Sequence, residues 1–107
     1  MAGGGTVNRW IISSYELKTE GLFVNIVKAI HWRLQRSSFT SMSGNTIYTT
    51  LEEIYGVTEL GPYDPDNFIE FDDITQEIAE GWITGIEDEA QLFSILLSKY
   101  NNRNYFL

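Results

Sequence analysis

The sequence predicts an α+β fold: a small antiparallel β-sheet of three to four strands, followed by two C-terminal helices packed on one face. Three observations predict it. Between residues 9 and 71 apolar side chains tend to alternate with polar ones, the period of a strand. From residue 73 the period lengthens to that of a helix. Turn-forming residues punctuate the chain at Gly21, at Ser43-Gly44-Asn45 and across the run from Gly61 to Asn67.

Arg9 to Leu17 reads as the first strand, with Trp10, Ile11, Ile12 and Tyr15 supplying β-favouring side chains. A tight turn follows, with Gly21 able to take positive φ. Leu22 to Leu34 is the strongest strand. Its even positions Leu22, Val24, Ile26, Ile30, Trp32 and Leu34 are apolar, with Lys28 the exception, and this face is expected on the core. The first two strands should form a hairpin. Serine-rich Gln35 to Asn45 reads as a loop, or as a weak strand around Phe39. Thr46 to Leu51 is a third strand, and Glu52 to Leu60 either extends it or makes a helical turn. Gly61 to Asn67, with Pro62 and Pro65, is a loop, and Phe68 to Phe71 a short strand.

Asp73 or Thr75 caps the first helix, whose stripe is Ile74, Ile78, Ala79, Trp82, Ile83 and Ile86, and Gly85 ends it. Asp88 starts the second, with Ala90, Phe93, Leu97 and Tyr100 in one row and Leu92 and Leu96 beside it. Asn101 to Asn104 stop it. The expected organisation is a flexible arm over residues 1–8, a single α+β domain over 9–100 and a C-terminal tail over 101–107. Trp10, Trp32 and Trp82 are expected to meet in one core.

A chain of 107 residues is long enough for one domain, and 43% hydrophobic residues suit a packed core. With no cysteine, no disulfide, thiolate nucleophile or zinc–thiolate site can form. The opening Met1-Ala2-Gly3-Gly4-Gly5 has no basic start and no apolar stretch, so no targeting segment is expected. Apolar runs such as Leu22-Phe23-Val24 are too short to cross a bilayer, and no membrane partner is expected. Charge is unevenly laid out. Residues 1–36 carry five bases against two acids, residues 37–98 thirteen acids and no Lys or Arg, and residues 99–107 two bases. These balances of +3, −13 and +2 add to the net −8. Such a field repels phosphates, so nucleic acid is not an expected partner. It can keep the protein soluble, steer basic partners, or draw the positive part of one copy to the negative part of another.

No catalytic constellation is evident. His31 is the single histidine, and no G-x-S-x-G presents a serine to it. A histidine on the wetter face of a strand reads as structural, and the chain is not expected to be an enzyme. Asp64, Asp66 and Glu70 resemble the start of an EF-hand loop. Phe68 stands at its fifth position, Ile69 at the required glycine and Thr75 at the last ligand. Calcium there is one reading and Asx-turn formation the other; no cofactor is expected.

Trp10-Ile11, Ile30-His31-Trp32-Arg33 and Asp73-Ile74-Thr75-Gln76 leading to Gly81-Trp82-Ile83 form a pattern. It resembles short uncharacterised proteins of tailed phages from marine and cyanobacterial hosts, across residues 9–96. That group has no assigned activity. It departs from the group in having Ile-Thr-Gln-Glu where Leu-Thr-Glu-Glu is usual, and the proline loop and aromatic tail have no place in the pattern. The resemblance implies a phage structural protein in the virion, assembled in the host cytoplasm: a capsid decoration or a neck or tail accessory subunit. Its partners would be other phage structural proteins or copies of itself. Expected contact residues are Arg33, Arg36, Tyr63, Phe68, Tyr105 and Phe106. An early acidic protein that inhibits a basic host DNA-binding protein is the alternative, because a long acidic stretch can imitate a phosphate surface.

Overall fold

A computed structural model of the chain describes residues 3–105. Three strands, β1 (Gly3–Glu20), β2 (Phe23–Met42) and β3 (Asn45–Glu59), form one antiparallel sheet in the order β1-β2-β3. β2 is therefore central, and β1 and β3 are its edges. Both connections are two-residue hairpin turns. Gly21 stands first in one with φ +60°, and Ser43 and Gly44 take φ +53° and +81° in the other. Two successive left-handed residues give the turn whose twist matches paired strands, at some strain for Ser43.

The strands run further than the sequence predicts. Residues 3–8, expected as an arm, are the first part of β1. Glycine serves close approach there, since a Cβ on Gly4 would come within 2.7 Å of the Phe39 carbonyl oxygen. The serine-rich stretch after Gln35, open between a loop and a weak strand around Phe39, is the second half of β2, and of the two readings of Glu52 to Leu60 it is the extension of β3, to Glu59, that forms. A central strand is buried on both faces, so its polar residues must be small or hydrogen-bonded. Ser37 is fully buried, and Gln35 is held by Glu53 and Thr50. The even-position rule fails at the start of β2, because Leu22 lies in the turn, fully exposed, and Asn25 takes φ +55° inside the strand. Asparagine tolerates that conformation, which breaks the alternation.

Phe68 to Phe71 is not a fourth strand. Two short 3-10 turns, Pro65–Asn67 and Phe71–Asp73, occupy this region. Pro65 lacks a ladder N–H and begins the first turn, while Asp64 accepts from the Asp66 backbone N–H at 2.9 Å. α1 (Gln76–Ile86) is capped by Thr75, whose hydroxyl accepts from the Ile78 N–H. It ends one residue after Gly85, with the Glu87 N–H donating to the Ile83 carbonyl. α2 (Glu89–Tyr105) runs through Asn101 to Asn104, which were expected to stop it. Among its described side chains Leu96, beside the expected row, is fully buried, whereas Leu97 within that row is 41% exposed.

The chain forms two compact units. One comprises residues 3–11, 33–54 and 89–105, with Trp10, Leu34 and Leu96 buried. In it Lys99 of α2 donates to the Glu53 carbonyl at 2.7 Å and pairs with Glu52, and the Arg36 guanidinium lies 5.2 Å from the Tyr100 ring centroid. The other comprises residues 12–32 and 55–88, with Ile26, Ala29, Ile30, Trp32, Ala79 and Ile83 at its core. Trp10 belongs to the first unit, and Trp32 and Trp82 to the second.

Candidate interaction surfaces

In the unit of residues 12–32 and 55–88, sheet and helix are joined through a buried relay. The Trp32 Nε1–H donates to the Thr58 hydroxyl at 2.8 Å, and that hydroxyl donates to the Glu87 carboxylate at 2.8 Å. Thr58 is fully buried. The Trp32 ring lies over Gly56, where a Cβ would come within 2.6 Å of it. Glu87 caps α1, so the relay fixes the end of that helix.

The same unit holds an apolar groove of about 400 Å³. Ile26 and Val27 of β2 form one wall, residues 60–64 of the proline loop with Phe68 and Ile69 another, and Trp82 and Ile86 of α1 a third. Gly81 and Gly85 open the helix side, since a Cβ on either would meet nothing within 4 Å. Beside it Phe23, Tyr63 and Phe68 form an aromatic cluster, with Phe23 at 5.4 Å from Tyr63 and 5.0 Å from Phe68 between ring centroids. Lys18 stands 5.9 Å from the Tyr63 centroid. Nearby, Tyr15 packs edge-on against Phe71, and burial raises the pKa of its hydroxyl above the ordinary 10.0.

Of the expected contact residues, Tyr63 and Phe68 are brought together here, both half-buried. Arg33 and Arg36 belong to the other unit. Arg33 pairs with Glu53 at 3.4 Å beside Gln35 and Thr50, in a shallow polar hollow of about 330 Å³. Arg36 is held against Tyr100, and its Nε is buried without a hydrogen-bond partner. Phe106 lies outside the described residues, and of Tyr105 only the backbone, at the end of α2, is described. Sequence reading missed Gly81, Gly85 and Trp82 as groove residues. The glycines four apart on one helix face were the available signal.

His31 binds the Glu16 carboxylate through Nε2 at 2.7 Å on a partly exposed face. Among the described residues no group of three or more His, Asp or Glu side chains is placed to hold a metal ion, and Asp64, Asp66 and Glu70 form none. Asp64 caps the 3-10 turn instead. No described helix is long and apolar enough to cross a membrane.

A family described as a domain of unknown function (DUF7936) matches residues 5–105. The chain belongs to this family. No curated protein and no solved structure matches the chain significantly. DUF7936 thus supplies a family without a biochemical role, and the surfaces above carry the functional argument.

Proposed function

We propose that this DUF7936 protein is a virion structural subunit that acts by protein–protein assembly, as a capsid decoration or a neck or tail accessory component. The observation that carries the assembly reading is the open three-stranded sheet. Its edges are an 18-residue strand, β1, and a 15-residue strand, β3. Long edges present unpaired backbone donors and acceptors, which monomeric proteins usually shorten or cover; in β3 the Glu53 N–H and carbonyl are met by the Glu52 and Lys99 side chains. β3 also exposes large apolar side chains, with Tyr55 82% and Ile47 62% accessible. An edge of this kind suits strand addition by a neighbour. The phage context comes from the sequence resemblance.

A second reading, inhibition of a basic host DNA-binding protein, is favoured by one observation. The unit of residues 12–32 and 55–88 carries twelve acids against two lysines. Quantitative mass spectrometry of purified phage particles separates the two. Tens to hundreds of copies per particle place the subunit on the shell, and a handful place it at the neck or tail. Absence from particles, with expression in infected cells, overturns the virion reading and leaves the inhibitor.

A further inference from the structure

The two units differ sharply in charge. Residues 12–32 and 55–88 carry twelve acids and two lysines, a balance of −10, while the remaining residues carry five bases and three acids, a balance of +2. The apolar groove lies wholly in the acidic unit. Asp64 is in its lining, Glu70 follows Ile69 of the lining, and Glu77 precedes Gly81 by one turn on the same face of α1. The end of α2, in the basic unit, and the two residues after it have the complementary chemistry. Arg103 is followed, after Asn104, by three consecutive large apolar residues, Tyr105, Phe106 and Leu107.

We infer that the groove receives residues 103–107 of a second copy of this chain. The aromatic and leucine side chains fill the apolar floor opened by Gly81 and Gly85, and Arg103 meets the acidic rim. The groove volume lies within the range of about 300–1,000 Å³ typical of sites that enclose a small ligand. The contact is heterologous: each copy offers one groove and one C-terminal segment, so association propagates into a closed ring or an open chain. The inference rests on the multi-copy assembly reading and names the partner at one of its surfaces.

Complementation in sedimentation velocity tests it. The full chain is expected to form species larger than a monomer, shrinking as salt is raised because the acidic rim is screened. Gly81→Trp, which fills the groove, and deletion of residues 105–107, which removes the apolar insert, should each weaken self-association by at least about tenfold with an unchanged circular dichroism spectrum. Gly81→Ala, which adds one methyl, should still assemble. Mixed together, the Gly81→Trp chain retains its C-terminal segment and the truncated chain its groove, so the mixture is expected to form a discrete two-chain species. Variants that assemble like the full chain overturn the inference. So do folded variants that stay monomeric when mixed, or a full chain that is monomeric at every concentration. None of these three results changes the copy number measured in particles, so the virion reading stands or falls separately.

Discussion

Thr58→Val keeps the shape of a fully buried side chain and deletes its hydroxyl. Two hydrogen bonds of 2.8 Å are lost together, one accepted from the Trp32 indole and one donated to the Glu87 carboxylate. Removing the acceptor of a buried donor costs about 1–2 kcal/mol, and a bond to a charged group contributes about 1.5 kcal/mol or more. Glu87 is only half-buried, so water replaces part of its loss and the total sits near the lower end, about 2 kcal/mol. For a chain of 107 residues that corresponds to a fall in Tm of about 8 °C. Thr58→Ser keeps both bonds and deletes one buried methyl, at about 1 kcal/mol. Urea unfolding followed by far-ultraviolet circular dichroism measures both. The indole N–H of Trp32 should also exchange faster in Thr58→Val. A valine variant within about 0.5 kcal/mol of the native chain, or a serine variant less stable than the valine one, refutes the relay as the tie between sheet and helix.

Four further outcomes are expected. Gly56→Ala should destabilise by about 2 kcal/mol or more in urea unfolding, because its Cβ would sit 2.6 Å from the buried Trp32 ring, which has little freedom to move. Thr75→Ala should cost about 1 kcal/mol by the same assay, through loss of the cap to the Ile78 N–H. Ser37→Ala should be neutral or raise stability by about 1 kcal/mol, since the Ser37 hydroxyl is buried without a partner. Tyr15 has a folded pKa above its unfolded value, so its contribution is complete below pH 10.0 and is lost as pH rises through the folded pKa. Tyr15→Phe should therefore flatten part of the alkaline fall in unfolding free energy.

The order of elements was legible because period and punctuation are local. The helical stripe after residue 73 and the Thr75 cap follow from side chains that act within one turn. The length of the strands was hidden. By composition Gly3 to Gly5 read as an arm, and the serines after Gln35 as a loop or a weak strand around Phe39, whereas their role depends on strands distant in sequence. Gly4 lies against Phe39, and Gln35 against Glu53 and Thr50. Phe68 and Phe71 show the reverse case. Their alternation looks like a strand, yet no neighbouring strand pairs with them, and both rings turn to aromatic partners, Phe23 and Tyr15. The pairing of Tyr63 with Phe68 was half legible, since both flank the proline loop. The groove between that loop and α1 was not, because it depends on two glycines facing a loop rather than on any motif.

A cryo-electron microscopy map of purified phage particles tests the central claim, that the protein works through contact with neighbouring subunits, most directly. The account predicts the three-stranded sheet at repeated, equivalent positions, with a neighbouring chain against the edge of β1, the edge of β3 or the groove beside Trp82. Particles whose every subunit is accounted for by other chains, or a bound subunit with both sheet edges and the groove open to solvent, would contradict it.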